Sequence, residues 1–223
     1  MNQPPLLLAS QSPRRRELLS LLGVPFTVTE PRVREIPRGD ETPGELVTRL
    51  SRAKAEATDP DRFGHALVIA CDTIVTLRDG SDPGEVLGKP RNEADAHAML
   101  RRLRGRPHVV YSAATVSDTG GETMTELVRT ELRMRSYEDD EIAAYVASSD
   151  PLDKAGAYAI QHQGFRPVAR IEGCYANVMG LPLCHVAREL RSRGIDIRAD
   201  VPAACQGHTG YACRIGNQIA PSE

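Results

Sequence analysis

Ser12-Pro13-Arg14-Arg15-Arg16 puts three guanidinium groups into what reads as the first turn of a helix. Ser12 is of the type that caps a helix N-terminus, and Pro13 suits the first helical position. That end of a helix already carries partial positive charge, so the arginines repel one another and the dipole. A bound polyanion relieves the conflict, because free N–H groups and Arg forks at one point form a phosphate cradle. The competing reading is a solvated basic turn.

A carboxylate stands inside an apolar run, Leu67-Val68-Ile69-Ala70-Cys71-Asp72-Thr73-Ile74-Val75. Burying that charge is costly unless Asp72 is paired or binds a cation, so Asp72 reads as a metal ligand or a general base on water. Its alternative is a strand-end cap. In a regular strand Asp72 and Thr73 face opposite sides. For both to serve one site, the strand must end or bend there, or Thr73 must act through its backbone. Glu35 lies in an arginine-rich loop and can join Asp72 around a divalent cation, since Mg²⁺ takes one or two carboxylates with phosphates and water. Lys54 falls on the margin of a helical apolar face, and Lys89 is held extended by Pro90. Both suit phosphate charge; both also suit snorkelling surface lysines. Gln161 carries a donor and an acceptor with which to read a base or sugar edge; a loop glutamine without a role is the plainer reading.

Other chemistries find no support. The sequence has no Gly-Lys-Ser/Thr phosphate loop, Gly-x-Gly-x-x-Gly fingerprint, Gly-x-Ser-x-Gly elbow or His-x-x-x-His pair. A net charge of −2 and 4% aromatic residues count against a nucleic-acid binder built on basic grooves and stacking. No apolar run approaches the roughly 20 residues that span a bilayer, and the first nine residues lack the basic start of a signal peptide. The expectation is a cytoplasmic protein with no membrane partner. Five cysteines at irregular spacing, at 71, 174, 184, 205 and 213, make no disulfide framework or zinc motif.

These residues need elements to hold them. Leu6–Ala9 reads as a buried strand leading to the Ser12 helix, which stops at Gly23. Pro25–Val28 is extended and residues 30–39 form a loop. Thr42 opens a helix with Leu46, Val47, Leu50, Ala53 and Ala57 inward. Ala66–Leu77 is β-rich, interrupted at Cys71-Asp72-Thr73, and Arg78–Gly84 is a turn-rich loop. Asn92–Leu103 is an amphipathic helix with Ala94, Ala98, Met99 and Leu103 inward. Val109–Val116 and Glu122–Met134 pair as antiparallel strands. Tyr137–Ala147 and Leu183–Arg193 are helices; Tyr158–Ile160 and Val168–Ile171 are short strands. The alternation predicts an α/β fold with a mixed central sheet flanked by helices, in at most two lobes. Residues 1–198 form the domain. Residues 199–223 lose periodicity and read as a loosely ordered tail.

The order and spacing of several strings resemble the Maf-like nucleotide pyrophosphatases. They are Leu8-Ala9-Ser10-Gln11-Ser12-Pro13-Arg14-Arg15-Arg16-Glu17-Leu18-Leu19, Asp72-Thr73-Ile74-Val75, Gly88-Lys89-Pro90, Asp150-Pro151-Leu152-Asp153-Lys154-Ala155-Gly156-Ala157-Tyr158 and Ile171–Leu183. The resemblance runs from about residue 5 to residue 195. It implies a two-lobed α/β fold of the inosine-triphosphatase kind. It also implies cleavage of a nucleoside triphosphate between the α and β phosphates, with a divalent metal: Mg²⁺, or Mn²⁺ as the alternative. Asp72 then corresponds to the proton acceptor, Asp72 and Glu35 to the metal site, and Lys54, Lys89, Ser10 and Arg15 to the phosphate site. Arg14, Thr73 and Gln161 match the branch acting on dTTP, UTP and modified pyrimidine triphosphates, a house-cleaning role. The 7-methyl-GTP branch tends to carry Trp, Gln and Glu there. A homodimer is implied by the resemblance alone. A non-enzymatic regulator of septum formation is the rival class, and it leaves Asp72 unexplained. This chain reads Tyr158-Ala159-Ile160-Gln161-His162 where the family usually has Tyr-Gly-Ile-Gln-Gly, and Cys174 where Ser is common.

Overall fold

The computed structural model describes residues 3–39, 41–59, 63, 65–77 and 84–220. The chain opens with β1 (Leu6–Ala9), α1 (Pro13–Ser20), β2 (Phe26–Thr29) and α2 (Pro43–Glu56). Local signals fix both helix starts: the Ser12 side chain accepts from the Arg15 N–H, and Thr42 with Glu45 forms a capping box. Then come β3 (Leu67–Leu77), β4 (Glu85–Leu87), α3 (Glu93–Leu103), β5 (Pro107–Ser117), β6 (Thr123–Met134), α4 (Asp139–Ala147) and β7 (Val168–Glu172). Two 3₁₀ turns, Asp150–Asp153 and Ala155–Ala157, lie between α4 and β7. The chain closes with α5 (Tyr175–Met179), α6 (Leu183–Ser192), α7 (Val201–Thr209) and α8 (Gly216–Ile219).

The strands make one mixed sheet in the order β2-β1-β3-β5-β6-β7, with β4 paired to β3. β1 is parallel to β2 and β3, and the remaining pairs are antiparallel. The α/β class with a mixed sheet and flanking helices is as the sequence predicts. One face of the sheet carries two large apolar clusters end to end along β3, β5 and β6. Leu67, Ile69, Cys71, Ala114 and Val116 pack with α1, α5, α6 and α7 at one end. Val75, Leu77, Val110, Leu132 and Met134 pack with α3 and α4 at the other. Ile160 touches both clusters. The opposite face is covered by α2 through Leu46, Val47, Leu50 and Ala55.

Four expectations are corrected. β3 is continuous: Cys71, Asp72 and Thr73 pair with Ala114, Ala113 and Ser112 of β5, whose ladder holds the carboxylate in the strand. Residues 158–160 join no strand; side chains hold them instead. In α3 the inward residues are Ala96, Leu100 and Leu103, whereas Ala94 and Ala98 are exposed. Alanine is too weakly apolar to set the face, and the leucines set it. Finally, residues 199–220 are not loosely ordered. Asp200 caps α7, and Val201, Cys205 and Ala220 are buried in the cluster of α5 and α6. Few apolar residues suffice there because a docking surface already exists. The loop at 78–84 lies outside the described residues except for Gly84. Among the described residues no helix is long and apolar enough to cross a membrane.

Candidate active site

β1 ends at Ala9, opposite Ala70, and β4 begins to pair only at Val75. Between them the β3 edge at residues 71–74 has no strand beside it. This gap lies beyond the carboxyl end of a parallel pair, with α1 on one face and α2 on the other, where open α/β sheets bind ligands. A cavity of about 360 Å³ occupies it. Ser10, Arg14, Arg15, Glu35, Lys54, Asp72, Thr73, Lys89 and Gln161, all nine singled out in the sequence, line it together.

Asp72 and Thr73 do point to opposite faces of an unbroken strand. Asp72 turns toward α2, where Lys54 Nζ donates to its Oδ1 at 2.5 Å. Thr73 turns to the other face, where its hydroxyl meets Ser112 Oγ of β5 at 2.8 Å, and Ser112 Oγ in turn donates to the Asn177 carbonyl of α5. The strand continues through both, and the Thr73 side chain, not its backbone, meets Arg15 at the cavity. The cavity reaches both because it wraps an open sheet edge.

Lys54 and Asp72 are both buried. Lys54 Nζ also lies 2.6 Å from Glu35 Oε1, so two carboxylates converge on one cationic point. Burial pushes the Asp72 carboxyl above its ordinary value, with Lys54 and Arg15 opposing. Burial also raises Glu35, but the hydrogen bond and charge of Lys54, helped by Lys89 and Arg15, outweigh it and hold that carboxyl low. Lys89 is exposed at the cavity edge.

The arginines divide their tasks. Arg15 turns inward: Nε donates to the Gly180 carbonyl at 2.8 Å, Nη1 to Ser10 Oγ at 3.1 Å and Nη2 to Thr73 Oγ1 at 3.1 Å. Three of its five N–H groups are thereby used, and two stay available to a ligand. Gly180 caps α5 at φ +107°, and a Cβ there would sit 3.3 Å from Arg15 Nε. Arg14 is half-buried, and burial depresses its guanidinium against the pull of Asp153. No hydrogen bond or ion pair with a described residue engages Arg14 or Gln161, so both offer their polar groups to the cavity. Arg16 is exposed.

Lys154, which the sequence marked only as part of the 150–158 string and without a role, is buried at the cavity wall with Nζ 2.6 Å from Asp153 Oδ1. Its spacing of four from Asp150 was the available signal. Glu30 and Gln11 also line the cavity; nothing local marked them.

A family profile described as Maf-like protein matches residues 5–193. The chain is 46% identical over 190 residues to a dTTP/UTP pyrophosphatase of Syntrophus aciditrophicus, covering 85% of this chain and 90% of that one. It is 40% identical over 194 residues to a dTTP/UTP pyrophosphatase of Dictyoglomus thermophilum, covering 86% and 97%. Among solved structures it is similar to a nucleoside-triphosphatase / dITP/XTP pyrophosphatase of Mycobacterium abscessus, at TM-score 0.40 and 14% identity over 74% of this chain and 82% of that one.

Proposed function

The chain belongs to the Maf-like protein family, and from that membership we propose that it hydrolyses dTTP and UTP to the monophosphate and pyrophosphate. The observation that carries the reading is the cavity itself. At one open sheet edge it joins a buried carboxylate, two lysines, a helix N-terminus and two polar side chains that no described residue engages by a hydrogen bond or ion pair.

Water attacks in line at the phosphorus of the α–β bridge. The new P–O bond forms as the bridging P–O bond breaks, and pyrophosphate leaves. Asp72 accepts the proton from that water. Burial makes it a stronger base than an ordinary carboxylate, while Lys54 holds it ionised. Lys54, Lys89 and the two remaining N–H groups of Arg15 neutralise phosphate charge, with the N-terminus of α1 behind them. Arg14 and Gln161 select the base. Thr73 and Ser10 keep Arg15 in place.

The donor set also suits a divalent cation. Asp72 and Glu35 already share a single cation, the Lys54 ammonium, and hard oxygen ligands of that number suit Mg²⁺ when phosphates and water complete the shell. Asp72 and Glu35 would hold it, and it would supply charge neutralisation on the phosphates.

The test is pyrophosphate release from a panel of nucleoside triphosphates, with Mg²⁺ and with a chelator. Release from dTTP and UTP with Mg²⁺ is expected. Asp72→Asn should lower it by roughly 10²–10⁴-fold, the usual reach of a general base, with the fold intact. Near-normal turnover in that variant would remove Asp72 from the mechanism. No release from any triphosphate would remove the enzyme reading.

A further inference from the structure

Gln161 has no strand to fix it. Residues 158–161 lie outside the sheet, yet they form one wall of the cavity. Two side-chain tethers hold the segment. At one end the Tyr158 hydroxyl meets Nε2 of the buried His108 at 2.7 Å. Nearer Gln161, the Ala159 N–H donates to the Tyr145 hydroxyl at 2.9 Å. That hydroxyl in turn donates to Asp150 Oδ2 at 2.6 Å. The Asp150 backbone carbonyl accepts from Lys154 Nζ at 2.5 Å. One phenol oxygen therefore links the segment bearing Gln161 to the 3₁₀ turn Asp150–Asp153 and, through the Asp150 carbonyl, to Lys154.

The Tyr145 ring has little freedom. It stacks on Phe165 with centroids 4.4 Å apart and lies tilted against His162 at 4.7 Å. His162, immediately after Gln161, accepts at Nδ1 from the Phe165 N–H at 2.9 Å. The rings thus close the turn that follows Gln161. Tyr145 itself is absent from the cavity lining. A buried phenol held between a donor and an acceptor is a rigid spacer, and the Ala159 N–H has no other partner among the described residues.

We propose that Tyr145 is a positioning residue for base selection: its hydroxyl, lying outside the cavity, sets where Gln161 meets the base. The role rests on the pyrophosphatase reading above. It separates phosphate chemistry, built on β3, α1 and α2, from the Gln161 side of base choice, held by α4 and the 3₁₀ turn at Asp150–Asp153.

The experiment is steady-state kinetics of the full chain with dTTP and with dATP, for wild type, Tyr145→Phe, Gln161→Ala and the double variant. Tyr145→Phe should raise KM for dTTP and lower the dTTP/dATP preference about tenfold, the scale of one mispositioned hydrogen bond. Its kcat for dTTP should stay within about twofold, because the phosphate machinery is untouched. Added to Gln161→Ala it should do nothing more to the preference, since both act through one side chain. An unchanged preference in Tyr145→Phe, or a loss that adds fully to that of Gln161→Ala, overturns the proposal. Should Tyr145→Phe fail to fold, Asp150→Ala takes its place. It releases the hydroxyl while keeping the ring stack, and must shift the preference the same way. A wild type that releases pyrophosphate without preferring pyrimidines sinks this inference alone. An inert wild type sinks the pyrophosphatase reading, and this one with it.

Discussion

Lys54 is the residue on which the site's electrostatics turn. Its ammonium lies between Asp72 and Glu35 at 2.5 and 2.6 Å. Burial raises the Asp72 carboxyl above 3.8, and Lys54 is the largest opposing influence. The sign follows. A carboxyl raised on folding favours the folded state in its protonated form and loses that contribution as pH rises through the folded value. The proposed role of Asp72 as a base needs the ionised form. The acid limb of kcat/KM therefore belongs above the ordinary aspartate value. In Lys54→Met the limb should move further up and turnover should fall. A pH–rate profile of both proteins checks this; a limb that does not move would mean that Lys54 does not tune Asp72.

At the scale of elements, the turn that ends α5 reaches into the site. Gly180 stands at φ +107° with its carbonyl on Arg15 Nε. An alanine there is strained by about 1–2 kcal/mol from the left-handed backbone alone. Its Cβ would also meet Arg15 Nε at 3.3 Å and Thr73 Oγ1 at 3.4 Å. Gly180→Ala should thus lower the urea midpoint and raise KM together, because the guanidinium must shift. A drop in stability with unchanged KM would show that Arg15 does not hold phosphate. Gly156 is similarly constrained: it stands at φ +70° with Val75 3.1 Å from a Cβ built on it. Here the second 3₁₀ turn, Ala155–Ala157, packs straight onto β3.

For the whole molecule, the C-terminal helices are part of the core but not of the chemistry. Val201, Cys205 and Ala220 are buried against the cluster of α5 and α6. No cavity-lining residue lies beyond Gly180. Ending the chain at residue 198 uncovers Cys174, Cys184 and their neighbours, and the loss of Val201 burial alone is worth about 1.5–3 kcal/mol. Thermal unfolding should shift down by several degrees, while kcat/KM measured well below the transition stays close to that of the full chain. A truncated protein with unaltered thermal stability would mean that these helices do not dock in solution.

Much of this was legible in the residues. Ser12, Thr42 and Asn92 announce their helices because capping is local. The mismatch of three arginines at a helix start and of one aspartate in an apolar run marked the site, since each conflicts with its own surroundings. Long-range matters were not legible. The α3 face, the docking of residues 201–220 and the loss of a strand at 158–160 depend on partners distant in sequence. So does the resolution of the Asp72–Thr73 problem. Sequence periodicity dictates that they face opposite ways, and they do. The sequence already ends β1 at Ala9; only the tertiary structure sets that end opposite Ala70 and leaves an open edge of β3 around which one cavity reaches both faces. Local chemistry marked the candidate residues; the pairing of a short neighbouring strand brought them to one cavity.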